Sequence, residues 1–167
     1  DIAEMRALWR HRKNLVENKS KTILQMQKAL TQMNIQLHVV LSDISGVSGM
    51  KIIRAILRGE RDPNVLADLA DKQVKATCEE FVAALSGHYS SSQLFILEQV
   101  MAQYDSLQRQ IQECDERVEN YLSQFDSKAD AKSLGAHPKK SKRYKSRKNE
   151  PHFDLRTELF RITGVDF

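Results

Sequence analysis

The feature that most restricts this chain is an apolar seam with two charged breaks. Taking every third and fourth residue of the first forty gives Ile2, Met5, Trp9, Arg12, Val16, Lys19, Ile23, Met26, Leu30, Met33, Leu37 and Val40, ten of the twelve apolar. That 3.5-residue stepping is the heptad period of a helix packed along its whole length. No Pro or Gly interrupts it, and Ala, Leu, Met, Gln, Lys and Glu, all good helix formers, fill much of the rest. At about 1.5 Å per residue such an arm is roughly 60 Å long. A helix of that length with an apolar stripe needs a partner.

The same chain supplies one. From Leu94 the seam returns as Leu94, Leu97, Met101, Tyr104, Gln108, Ile111, Asp115, Val118, Leu122 and Phe125. Folding the two arms against each other in opposite directions sets Ile2 on Phe125, Met5 on Leu122, Trp9 on Val118 and Val16 on Ile111. The register continues with Ile23 on Tyr104, Met26 on Met101, Leu30 on Leu97 and Met33 on Leu94. The polar breaks then meet each other, Arg12 on Asp115 and Lys19 on Gln108. Sliding by one heptad loses that match, and because a buried unpaired charge is costly, polar seam residues mark register well. The same match can also form between two chains.

The predicted fold is therefore all-α: a long antiparallel helical hairpin, or coiled coil, with a small helical head inserted between its arms and a basic, disordered linker after them. The first arm spans residues 1–41, the head 42–90 and the second arm 91–126, followed by the linker at 127–151 and a lead-in to a further domain at 152–167. In the head, Asp43 to Gly49 reads as a glycine turn with Ser48 capping a helix from Met50 to Leu57. Gly59 ends that helix, and Asp62-Pro63 starts the next with Pro at its first position. Asn64–Ala70 and Lys75–Leu85 read as two more, and Ser90 to Ser92 cap the second arm.

Charge is unevenly distributed. Between Ser127 and Glu150 there are nine Lys or Arg against two acids, whereas the whole chain has a net charge of only +4. Such a segment buries too little to fold alone, so a mobile linker is expected. Lys139, Lys140, Lys142, Arg143, Lys145, Arg147 and Lys148 crowd one run beside Tyr144, a composition suited to phosphates and a stacked base. It also suits a solubilising tether. In the first arm Arg6, Arg10 and Lys13 share a helix face, with Lys21 further along. A basic face can follow a phosphate backbone or simply be the solvated flank of a coiled coil. The turn Gly46-Val47-Ser48-Gly49, followed by Lys51, resembles a helix-hairpin-helix motif, in which amides at a helix N-terminus meet a phosphate. The glycines can equally do no more than turn the chain.

Catalytic constellations are missing from the sequence. His11, His38, His88, His137 and His152 have no metal-ligand spacing among themselves or with Cys78 and Cys114. Glu113, Asp115, Glu116 and Glu119 fit a solvated helix flank, and no nucleophile elbow, Walker loop or dinucleotide fingerprint occurs. Two cysteines without a CxxC fit a reducing cytoplasm, and no membrane span or signal peptide is legible. The start at Asp1 within a heptad and the stop at Phe167 without a terminating signal suggest a piece of something longer.

Four stretches carry a family likeness: "MRALWRHRKNLVENKSKTILQMQKAL" at 5–30, "DISGVSGMKIIRAILRGERDPNVLADL" at 43–69, "LEQVMAQYDSLQRQIQECDERVE" at 97–119 and "HFDLRTELFRITGVDF" at 152–167. Together and in this order they resemble the middle region of the IS-one-ten type of insertion-sequence transposases, the bridge-RNA-guided DNA recombinases of bacteria. The resemblance implies an upstream domain whose acidic tetrad holds a divalent metal such as Mg, and a downstream domain with a nucleophilic serine. It also implies a coiled coil used for homo-oligomeric assembly, as dimer or tetramer, and for contact with DNA and a structured guide RNA. Only the middle is matched, so no catalytic residue carries over, no cofactor is expected in this chain, and Ser48 is not that serine. The alternative is a free-standing coiled-coil interaction module with no nucleic-acid role.

Overall fold

An apolar seam flanked by strong helix formers gives a helix wherever no special dihedral intervenes. A computed structural model describes residues 2–71, 74–135 and 149–166, and among these the chain is all-helical, with no strand. The helices are α1 (Ile2–Gln32), α2 (Leu37–Val40), α3 (Val47–Leu57), α4 (Pro63–Ala67), α5 (Cys78–Leu85), α6 (Ser91–Ser123) and α7 (Leu155–Thr163), with a short 3-10 turn at Ala131–Ser133. The chain divides into two units. The first holds residues 1–17 and 107–167, the second residues 18–106.

α1 stops at Gln32, although the apolar stepping runs on to Val40. The stop is a Schellman turn, with Asn34 in the left-handed region at φ 57°. The Asn34 amide donates to the Thr31 carbonyl and the Ile35 amide to the Leu30 carbonyl, both at 2.9 Å. Leu30 and Ile35 are both buried in one core, as that turn favours. The buried stripe is also rotated from the expected one. Met5, Arg12, Lys19, Met26, Leu30, Met33 and Leu37 hold their places, but Leu8, Leu15 and Thr22 are more buried than Trp9, Val16 and Ile23. Ile2 is 56% and Trp9 38% exposed. On α6 the buried position falls to Leu107, and Gln108 is exposed.

In the first unit Arg12 and Asp115 form the buried ion pair that the charged breaks predict. Leu15, Leu107, Ile111 and Cys114 pack beside it, with Val16 against them. Tyr121 donates to Glu4 at 3.0 Å. A second cluster joins Val118, Leu122 and Phe153, with Met5, Leu8 and Leu155 around it. The stretch 152–167, expected to lead into a following domain, thus returns to this unit through Phe153 and α7. Arg161 holds it there. Its guanidinium donates to the carbonyls of Leu122 (2.8 Å) and Phe125 (2.9 Å). These carbonyls lie at the C-terminal end of α6, where helical partners run out.

The second unit has a core of α1 residues Met26, Leu30 and Met33 with Leu97 and Met101 of α6, closed by Ile52, Ile53 and Ile56 of α3 and by Leu66, Phe81 and Leu85. The Gln36 amide donates to the Ala84 carbonyl (2.8 Å) and the His88 amide to the Met33 carbonyl (2.9 Å), tying the C-terminal end of the head to the turn after α1. α3 starts at Val47, not Met50, with Gly46 as its N-cap. Ser48 lies inside that helix, and its hydroxyl accepts the Asp71 amide at 2.9 Å. Gly59, at φ 102°, ends α3 in a second Schellman turn, its amide and that of Glu60 donating to Ile56 and Ala55. Asp62 caps α4 with Pro63 behind it. α5 is shorter than expected because Thr77 and Glu80 form a capping box at its start.

Candidate nucleic-acid interface

Arg6, Arg10 and Lys13 lie exposed on α1 in the first unit. Arg10 Nε donates to the Arg6 carbonyl at 3.3 Å, and Lys13 reaches Glu17 only at 3.9 Å. Among the described residues neither Arg6 nor Arg10 has an ion-pair partner, so both guanidinium charges are available to an anion. Lys21, in the second unit, is exposed and donates to Asn18 at 3.4 Å.

The glycine turn is built for packing. The Gly46 amide donates to the Asp43 carbonyl at 3.1 Å. Gly49 is buried, and a Cβ there would lie 2.0 Å from the Ile44 carbonyl oxygen. That close approach alone requires glycine. Lys51 is exposed two residues further on. Lys139, Lys140, Lys142, Arg143, Lys145, Arg147, Lys148 and the expected linker core lie outside the described residues. The described flanks of that stretch are held, both in the first unit. Arg156 donates to the Gly135 carbonyl at 3.3 Å, Arg12 to the Asn149 carbonyl at 3.0 Å, and the His152 amide to Asp115 at 3.3 Å.

No protein-family model, no curated protein and no solved structure matches the chain. The site must therefore be read from its own chemistry. The acidic cluster of α6 divides by burial. Asp115 is buried against Arg12, Glu119 lies 3.4 Å from the His152 ring, and Glu113 pairs with Arg109 at 3.6 Å. Among the described residues no group of three His, Cys, Asp or Glu is arranged to hold a metal ion. Likewise no described helix is long and apolar enough to cross a membrane.

Sequence reasoning missed Arg156, Arg161 and His152, which fasten the C-terminal return. Apart from the local Arg161–Glu158 pair, their partners are backbone carbonyls or residues distant in the chain, and no periodicity encodes those. The two thiols differ in the same long-range way. Cys78 is exposed, whereas Cys114 is buried with its Sγ 3.5 Å from the Leu8 carbonyl. Burial first, and the Asp115 charge second, push the Cys114 thiol pKa upward. Since the thiolate is the reactive form, a maleimide at neutral pH should modify Cys78 at least about tenfold faster than Cys114. Mass spectrometry of a time course checks this; equal rates would mean that the first unit opens freely.

Proposed function

We propose that this chain is the assembly and nucleic-acid-contacting middle of a DNA recombinase of a bacterial insertion sequence, working in the cytoplasm on DNA and a structured guide RNA. In this reading α1 and α6 form an antiparallel coiled-coil hairpin, with the small helices between them as its head. The observation that supports it most is the exposed positive charge of the first unit. The first unit displays Arg6 and Arg10, which have no ion-pair partner among the described residues, and holds both described flanks of the stretch that carries Lys139 to Lys148. Phosphate binding by several such charges releases condensed counterions and needs no base contact.

The buried Arg12–Asp115 pair and the Glu4–Tyr121 bond support the antiparallel register. In the family that the sequence resembles, a metal-holding domain lies upstream and a serine-bearing domain downstream. An antiparallel pair would keep two such domains side by side, as a shared reaction centre requires. The chain's own residues would then position and assemble, and the chemistry would belong to the neighbouring domains.

A coiled-coil interaction module without nucleic-acid binding is the rival, and salt separates the two. RNA affinity should fall linearly on a log–log plot against salt. Replacing the seven basic residues from Lys139 to Lys148 with Gln should reduce the slope by about 0.7–0.9 for each phosphate that is no longer neutralised. Filter binding across a salt series measures it. Absence of binding at low salt would leave the rival standing.

A further inference from the structure

The first unit has a groove whose apolar floor the nucleic-acid reading does not use, although its charged lip is shared with that reading. Its floor is made by Met5 and Trp9 of α1, Val118 and Leu122 of α6, and Leu155 and Leu159 of α7, around a space of about 470 Å³. That volume lies within the usual range of about 300–1,000 Å³ for ligand sites. Trp9 is 38% exposed there, and neither Leu155 nor Leu159 is fully buried. One lip carries charge: Arg6 and Arg10 also line the groove, four residues apart on the same helix. Both guanidiniums lack an ion-pair partner among the described residues, so the lip is positive and uncompensated.

We infer that this groove docks an acidic amphipathic helix of a partner protein. Its apolar face fills the floor between Trp9 and Leu159, and two carboxylates one turn apart meet Arg6 and Arg10. Charge complementarity selects this occupant. Residues four apart on the docking helix are spaced like Arg6 and Arg10 on α1, and anchors at positions i and i+4 are how helices seat in apolar grooves. A nucleic acid would satisfy the arginines and leave the apolar floor against water. An apolar peptide without acids would fill the floor and leave the lip unanswered. The inference does not rest on the recombinase reading; the two ligands compete for Arg6 and Arg10, and the Trp9 signal tells them apart.

Trp9 is the only tryptophan in the chain, so its emission reports on the groove directly. The probe is a stapled helical peptide with Leu at i and i+4 and Glu at two positions one turn apart on the flank. Titrated into the full chain, it should shift Trp9 emission to shorter wavelength and saturate. Arg6→Glu with Arg10→Glu should weaken binding about tenfold or more, and exchanging the peptide's Glu for Lys should recover much of that loss. Both positions are exposed, and circular dichroism verifies that the variant remains helical.

Several outcomes overturn the proposal. They are no shift with the peptide, an equal shift with the Lys peptide on the unaltered chain, or an equal shift with laurate, which would make the occupant a small amphiphile. A blue shift that grows with protein concentration alone, together with a dimer mass, would assign the groove to a second copy of the chain. An RNA oligonucleotide that displaces the peptide and itself shifts Trp9 to the blue would assign the groove to nucleic acid.

Discussion

Asp115→Ala should cost about 3–5 kcal/mol and lower Tm by about 10 °C. The loss exceeds that of an ordinary surface ion pair because of what stays behind. Arg12 is 5% and Asp115 3% exposed. Besides its shortest contact, Arg12 donates from Nη2 to the second carboxylate oxygen at 3.2 Å and from Nη1 to the Asn149 carbonyl at 3.0 Å. Removing the carboxylate leaves a guanidinium without its counterion in a nearly dry site, and the His152 amide loses its acceptor. Replacing both residues with Leu should restore most of the lost stability, since neither charge is then stranded. Arg12→Asp alone should be comparably harmful, and adding Asp115→Arg should recover part of the loss. Thermal melts of the four variants decide it. A single variant within about 2 °C of the parent, or a swap without recovery, would remove the pair from its anchoring role.

Gly49→Ala is the second large effect, and it falls on the other unit. The added methyl would lie 2.0 Å from the Ile44 carbonyl oxygen and 2.6 Å from its carbon. Both are backbone atoms, so no side-chain rotation relieves the overlap and the turn itself must shift. Overpacking usually costs about 1–3 kcal/mol, and a clash with backbone belongs at the top of that range. Gly135→Ala is the control: nothing lies within 4 Å of its added methyl, and near-neutrality is expected. Hydrogen exchange over residues 44–57 should rise in Gly49→Ala alone. Unchanged protection there would mean that the turn has room, and a phosphate-binding use of the two glycines would regain ground.

The part of this fold legible in the sequence is the part set by local rules and by charge. The Arg12–Asp115 pair follows from two polar breaks that match in a single register. Asp62-Pro63 and Gly59 follow from turn chemistry, and both sit where that chemistry places them. Less legible was which of two adjacent apolar residues turns inward. Leu8 and Trp9, or Leu15 and Val16, satisfy the same period, and only three-dimensional packing prefers Leu15. The end of α1 was hidden because Asn is a weaker mark of a left-handed residue than Gly. Ser48 read as a cap because its true partner, the Asp71 amide, lies twenty-three residues away.

The candidate site shows the same division. The exposure of Arg6, Arg10 and Lys13 follows from helical spacing. The anchoring of the basic stretch by Arg12 and Arg156 does not, because a side chain reaching a distant carbonyl leaves no pattern in the sequence. The groove was invisible for a related reason. Its third wall, α7, lies in the stretch expected to lead into a further domain, and nothing local in that stretch says which surface a helix there covers.

Arg12 has one more consequence. It stacks 5.4 Å from the Trp9 ring, pairs with Asp115 and holds the Asn149 carbonyl, three attachments on one planar group. Separating any one of these segments would expose a solvation deficit felt by the other two. The N-terminal turns of α1, the C-terminal third of α6 and the returning C-terminal stretch should accordingly open and close as a single foldon, with one shared exchange free energy in place of three.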